Sequence, residues 1–200
     1  MMSSKRLAMT LAAMTVSVAL ASGCADAISA HPAAVKQRPP ATASFSAMGL
    51  AFRYPVSWRS GTWSSDLSSF SALIVYLSTS RLRFPCAVRT GPGRIAETCE
   101  YPIGVLPPSG VLVRWSANGF PTWHMPKANT TVAGRKAVET RTSGGWCVTL
   151  GGTETITVMI PRAAPGNWYQ MDACLRGPGL AHQEAEISSM LKSVHISSGY

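Results

Sequence analysis

WYQMDACLRGPGLAHQEAEISSMLKSV, residues 168–194, is the stretch that decides the fold. Trp168 to Leu175 reads as a strand, and Gly177-Pro178-Gly179 breaks it off. Beyond the break, Ile187, Met190, Leu191 and Val194 fall at i, i+3, i+4 and i+7, one stripe on a 3.6-residue period. Glu184 and Glu186 are expected in the first turns of that helix and Lys192 near its end, as the helix dipole favours. The polar face carries serines and glutamates, so the helix needs a surface to lie on. A strand that hands over to a one-faced helix predicts a sheet with that helix packed against it.

The chain before this stretch supplies the sheet. Leu50, Phe52 and Tyr54 alternate with Ala51 and Arg53, the period of a half-buried strand, and Pro55 stops it. Ala72 to Ser78 is nearly continuous in apolar residues and predicts a central strand covered on both faces. Val111, Val113 and Trp115 alternate with Leu112 and Arg114 in a third strand, ended by Asn118-Gly119. Val132 to Arg141 reads as a strand that bends or bulges at Gly134. Trp146 to Leu150, then Gly151-Gly152, then Thr153 to Ile160 predicts a hairpin with a tight primed turn. A short helix is expected within Ser64–Phe70, and irregular chain over 82–102, where Gly91-Pro92-Gly93 lies. The expected class is therefore α+β: a mainly antiparallel β-sheet with a C-terminal helix packed on one face.

At the other end of the chain, Lys5 and Arg6 precede an uncharged run from Leu7 to Ala21, 15 residues long. That is short of the ~20 needed to span a bilayer as a helix. A basic head, an apolar run and small residues before a cut site make a secretory signal. Leu20-Ala21-Ser22-Gly23-Cys24 resembles the bacterial lipoprotein signal. That resemblance implies that Cys24 receives a diacylglyceryl thioether with palmitate-type chains and becomes the mature N-terminus. The likeness covers only this leader and departs from the usual pattern at Ala21, where Leu, Val or Ile is common. A rival cut follows Ala25-Asp26-Ala27 and would release an unanchored secreted protein. The expected organisation is a signal over 1–23, a flexible Ala/Pro/Ser-rich tether with lipidated Cys24 over 24–46, and one disulfide-bearing domain over 47–200.

Cysteine parity agrees with that reading. Five cysteines are odd for an exported protein; lipidation of Cys24 leaves Cys86, Cys99, Cys147 and Cys174, which suit two disulfides. Cys86–Cys99 closes a short loop, and Cys147–Cys174 follows by elimination. The second pairing meets a geometric difficulty. In a simple hairpin Cys147 faces Ile156, and the strand holding Cys174 lies two strands, roughly 9–10 Å, away. A disulfide needs Cα atoms within about 7 Å. Either strand 146–150 neighbours strand 168–175 directly, or the pairing is crossed.

Three further stretches resemble PsbP-like domains, which some actinobacterial surface lipoproteins carry. They are Phe52-Arg-Tyr54-Pro55 with Trp58 shortly after, Val132-Ala-Gly134-Arg135, and a terminal helix running into Ser193-Val-His-Ile196. The likeness spans residues 47–196 and departs from the family in its two disulfides and its Pro/Gly-rich central loop. It implies a non-catalytic, partner-binding domain and assigns no catalytic residue.

The chemistry the residues offer is sparse. No G-x-S-x-G elbow, P-loop or dinucleotide fingerprint is present, and no two histidines have H-x-x-x-H spacing, so no cofactor or metal site is expected. Glu139 and Glu154 lie on neighbouring strands and are the carboxylates placed to meet, though a polar strand face explains them as well. The formal charge of +9 falls to +7 once Lys5 and Arg6 leave with the signal. The basic residues are scattered rather than interleaved with aromatics, which argues against nucleic acid. Arg81, Arg83, Arg89 and Arg94 surround the Cys86–Cys99 loop and, with Trp63, form the expected ligand patch; Trp123 and His124 are the second choice. The bland reading of that patch is solvated loop charge. The expected function is a lipid-anchored, non-catalytic binding or accessory domain on the extracellular face of the cell membrane. Its expected partners are anionic lipid, a cell-wall polymer or another envelope protein. The alternatives are an envelope hydrolase using dispersed carboxylate or histidine residues, and a secreted unanchored factor.

Overall fold

In the computed structural model, which describes residues 41–62, 66–68, 70–83 and 101–199, β10 (Asn167–Leu175) is the centre of the larger sheet. It pairs antiparallel with β6 (Val111–Gly119) on one side and β9 (Glu154–Pro161) on the other. Beyond β6 lie β5 (Ser71–Ser78) and then β3 (Arg59–Gly61), with β4 (Asp66–Ser68) also on β5. Beyond β9 lie β8 (Arg135–Thr142) and β7 (Thr130–Val132). Every pairing is antiparallel, and the class is α+β as the sequence predicts.

A strand's side chains alternate between faces, and here the two faces meet different layers. On the inner face Val113, Trp115, Val158, Tyr169, Met171 and Leu175 are buried in one continuous core. The α-helix, α1 (Leu180–Lys192), covers that face with Ile187 and Met190, and Val194 follows just past its end. A second, three-stranded sheet covers the rest: β1 (Thr42–Ala47), β2 (Leu50–Pro55) and β11 (His195–Ile196). Phe52 of β2 stacks on Trp115 of β6 with ring centroids 5.3 Å apart, so the two sheets share one aromatic seam. On the outer face a 3₁₀ helix, Gly145–Leu150, and the chain at 101–106 close a smaller core around Tyr76, Leu106, Leu112, Cys147, Leu150 and Cys174.

Five local expectations are corrected. Trp146–Leu150 is not a strand but that 3₁₀ helix; Gly145 and Gly151 bracket it, both at φ 73°, and let the chain leave the sheet at each end. Cys147 thereby reaches over the sheet to Cys174, with a Cα–Cα distance of 5.3 Å, and the geometric difficulty disappears. Val132 to Arg141 is not one bulged strand: Ala133 (φ 50°) and Gly134 (φ 75°) make a two-residue primed turn that folds β7 onto β8. The chain at 66–68 is a strand beside β5, where a helix was expected. A strand lies inside the predicted tether: Thr42–Ala47 pairs along the whole of β2, with Phe45 against Phe52. Small residues suffice for an edge strand whose alternate side chains face a neighbour. Finally, α1 begins at Leu180, so Glu184 and Glu186 lie beyond its first turn, which holds no acidic residue. Residues Pro39–Tyr200 make one compact unit.

Candidate functional site

The expected ligand patch follows β5. After Ser78 the chain turns outward but stays pinned: the Thr79 N–H donates to the Val111 carbonyl at 3.1 Å and the Arg83 N–H to the Pro102 carbonyl at 2.8 Å. These bonds hold the chain at 79–83 beside Pro102 and Val111. They set Arg81 and Arg83, both exposed, over Ile103, Gly104 and Val105, where a cleft of ≈ 450 Å³ opens. Gly104 has open space where a side chain would stand. Neither guanidinium has a carboxylate partner among the described residues. A third cation, Arg176, donates from Nη1 to the Leu106 carbonyl, in the same stretch of chain as Ile103–Pro107. Two unpaired guanidiniums beside a cleft of this kind are donors for carboxylate or phosphate oxygens. Cys24, Trp63, Cys86, Arg89, Arg94 and Cys99 lie outside the described residues.

The second-choice pair is split. Trp123 is half-buried and stacks on Trp168 with centroids 4.0 Å apart, so its ring serves packing, while His124 is exposed. The crossover from β6 to β7 runs along this end of the outer face, and Asn129 ties it down through hydrogen bonds with the Glu139 backbone, both 2.8 Å. Glu139 and Glu154 do approach one group, but that group is Arg141. Its guanidinium lies 2.8 Å from Glu139, 3.6 Å from Glu154 and 2.6 Å from Glu184. The carboxylates are tied together through a cation and do not face each other across a cleft.

A constellation the sequence reading missed lies midway along the outer face. Arg114 and Asp172 are directly opposite in the β6–β10 register and their side chains meet at 2.7 Å. Asp172 is nearly buried and also accepts from Thr157 Oγ1 at 2.8 Å and from Gln170 Nε2 at 3.0 Å. Trp168 Nε1 donates in turn to Gln170 at 3.2 Å. The Arg114 guanidinium also sits 5.7 Å from the centroid of Trp146, which stacks on Tyr101 at 4.9 Å. Burial works against the charge of Arg114, yet the adjacent Asp172 outweighs it and the pKa of Arg114 is raised. Burial likewise pushes the Tyr76 hydroxyl up, with Arg114 opposing. Because Asp172 is fully supplied with donors, this network holds the 3₁₀ cap to the sheet and presents no reactive carboxylate. The available signal was a single charge centred in each of two apolar strands, Arg114 and Asp172.

One more cavity, ≈ 360 Å³, opens between the β1–β2 hairpin and α1, lined among others by Arg53, Tyr54, His182, Glu186 and Met190. Burial pushes the Glu186 carboxyl above its ordinary range, and His182, 3.6 Å away, acts against that. Among the described residues no group of three or more His, Cys, Asp or Glu side chains is placed to hold a metal ion, and no helix is long and apolar enough to cross a membrane. No protein-family model, curated protein or solved structure matches the chain.

Proposed function

We propose that this chain is an exported, lipid-anchored binding domain of the bacterial cell envelope, without catalytic activity, that holds anionic groups of wall polymer at the Arg81/Arg83 cleft. The cleft carries the reading: two exposed guanidiniums, unpaired among the described residues, beside one opening of ≈ 450 Å³. Export is supported by the buried Cys147–Cys174 disulfide, a bond that persists in oxidising compartments, and by the Ser22-Gly23-Cys24 leader. The likeness of residues 47–196 to PsbP-like domains, with their non-catalytic partner-binding members, points the same way.

The test is salt-dependent binding of the mature chain to a soluble phosphate polymer. Changing Arg81, Arg83, Arg89 and Arg94 together to Gln should weaken binding by at least about tenfold at low salt, with an unchanged melting transition, because exposed charges act mainly through screened attraction. Unchanged binding removes the cleft from the account. A hydrolytic activity abolished by a single carboxylate substitution removes the whole reading.

A further inference from the structure

We propose that the end of the molecule carrying the Met48-Gly49 turn docks directly on an anionic lipid bilayer, independently of any acyl group on Cys24. Five connections converge there. Tyr169 Oη donates to the Met48 carbonyl at 2.6 Å, and the Gly119 N–H to the Phe70 carbonyl at 2.9 Å. The Phe120 N–H donates to the Gly166 carbonyl at 2.9 Å, and Arg135 Nη1 to the Pro161 carbonyl at 2.8 Å.

The tips of these loops are apolar and face water. Phe70 is 52% exposed, Phe120 42% and Met48 42%, and the two phenylalanine rings meet edge to face at 5.1 Å. Single exposed apolar residues are ordinary, but several large ones gathered on neighbouring loop tips mark a contact surface. Two of the loop segments here are purely basic in their charges. Segments 119–137 and 160–169 hold Lys127, Arg135, Lys136 and Arg162 and no Asp or Glu. Beyond those segments, Asp66 lies opposite Ala72 in register, and Glu139, three residues past Lys136 on β8, is bonded through its backbone to Asn129. Aromatic rings settle at the headgroup level of a bilayer, and cations beside them meet lipid phosphates, so this combination fits an anionic membrane interface better than a neutral polymer.

The experiment uses the chain from residue 24 onward with Cys24→Ser, which keeps the whole compact unit and removes the acylation site. It is sedimented with phosphatidylcholine vesicles with and without phosphatidylglycerol. Binding is expected only with phosphatidylglycerol and should fall with salt. Phe70→Ser with Phe120→Ser should abolish it while leaving the melting transition and phosphate-polymer binding intact. Lys136→Gln should weaken it about fivefold, the effect of one basic residue near a charged surface. The four-arginine cleft variant should still bind vesicles, which separates this contact from the proposed polymer site. Vesicle binding that survives loss of both phenylalanines would overturn the proposal, as would failure of the parent chain to bind phosphatidylglycerol vesicles at all.

Discussion

The two faces of the eight-stranded sheet are built from alternate residues of the same strands, yet they are held by different chemistry. The inner face is apolar and continuous: Trp115, Val158, Tyr169 and Met171 pack against β2 and α1, and charge enters only at the rim, where the Arg162 guanidinium lies over the Tyr169 ring at 5.1 Å. The outer face is a patchwork, in which a disulfide fixes a 3₁₀ cap at one end and the Arg114–Asp172 network fills the middle. Burial alone can organise the inner face because a helix and a small sheet bring enough apolar surface to it. Among the described residues the outer cap is one 3₁₀ helix and a loop, and covalent and ionic ties hold it. The proposed polymer cleft opens beside that tied cap, at Ile103–Val105, and Ile103 belongs to the same small core.

Trp115→Ala attacks the inner face where it is most concentrated, since the ring is fully buried and stacked on Phe52. We expect a loss of about 3–5 kcal/mol in denaturant unfolding. A smaller loss would mean the seam between the sheets is loosely packed. Asp172→Ala leaves Arg114 without its carboxylate in the outer network and is expected to cost about 3–5 kcal/mol, whereas Arg114→Leu with Asp172→Leu should cost far less. If the double replacement proves as harmful as the single one, the network contributes more than mutual neutralisation.

Removing the disulfide with Cys147→Ala and Cys174→Ala opens a crosslink between residues 27 apart and should cost roughly 3–4 kcal/mol by the chain-entropy model. Hydrogen exchange should then rise in 145–152 and 101–106 and stay low in β10. Equal exchange across both faces would contradict the division between them. The smallest effect is expected at Glu186. Burial raises its folded-state pKa, so the stability tied to this group is complete below its ordinary value of 4.5 and is lost as pH rises through the raised value. Glu186→Gln should therefore raise stability at neutral pH by less than about 1 kcal/mol, with the gain vanishing below pH 4.5. A gain that persists in acid would point to a cause other than the carboxylate charge.

The inner face was legible because one-dimensional periods encode it. The alternation at Leu50–Tyr54 and Val111–Trp115, and the helical stripe through Ile187 and Met190, carry over into the core unchanged. The outer face was less legible because it depends on register and on backbone leaving the sheet. Gly151-Gly152 looks like a hairpin turn, but Gly152 lies against the disulfide, where a Cβ would collide with both sulfurs. Only the cysteine count hinted at this, through a pairing that a flat hairpin could not accommodate. Arg114 and Asp172 carry no local sign of their partnership until β6 and β10 are aligned. Arg81 and Arg83 were singled out by their place around the expected Cys86–Cys99 loop, and the bonds from Thr79 and Arg83 that place them at one cleft depend on residues some twenty to thirty positions away in the chain.

The proposed function also places this domain at the extracellular face of the cell membrane through Cys24, and the intact mass of the mature protein tests that directly. The account predicts a chain beginning at Cys24 and heavier than its sequence by a diacylglyceryl group, partitioning with membranes. An unmodified N-terminus at Ile28 would contradict it.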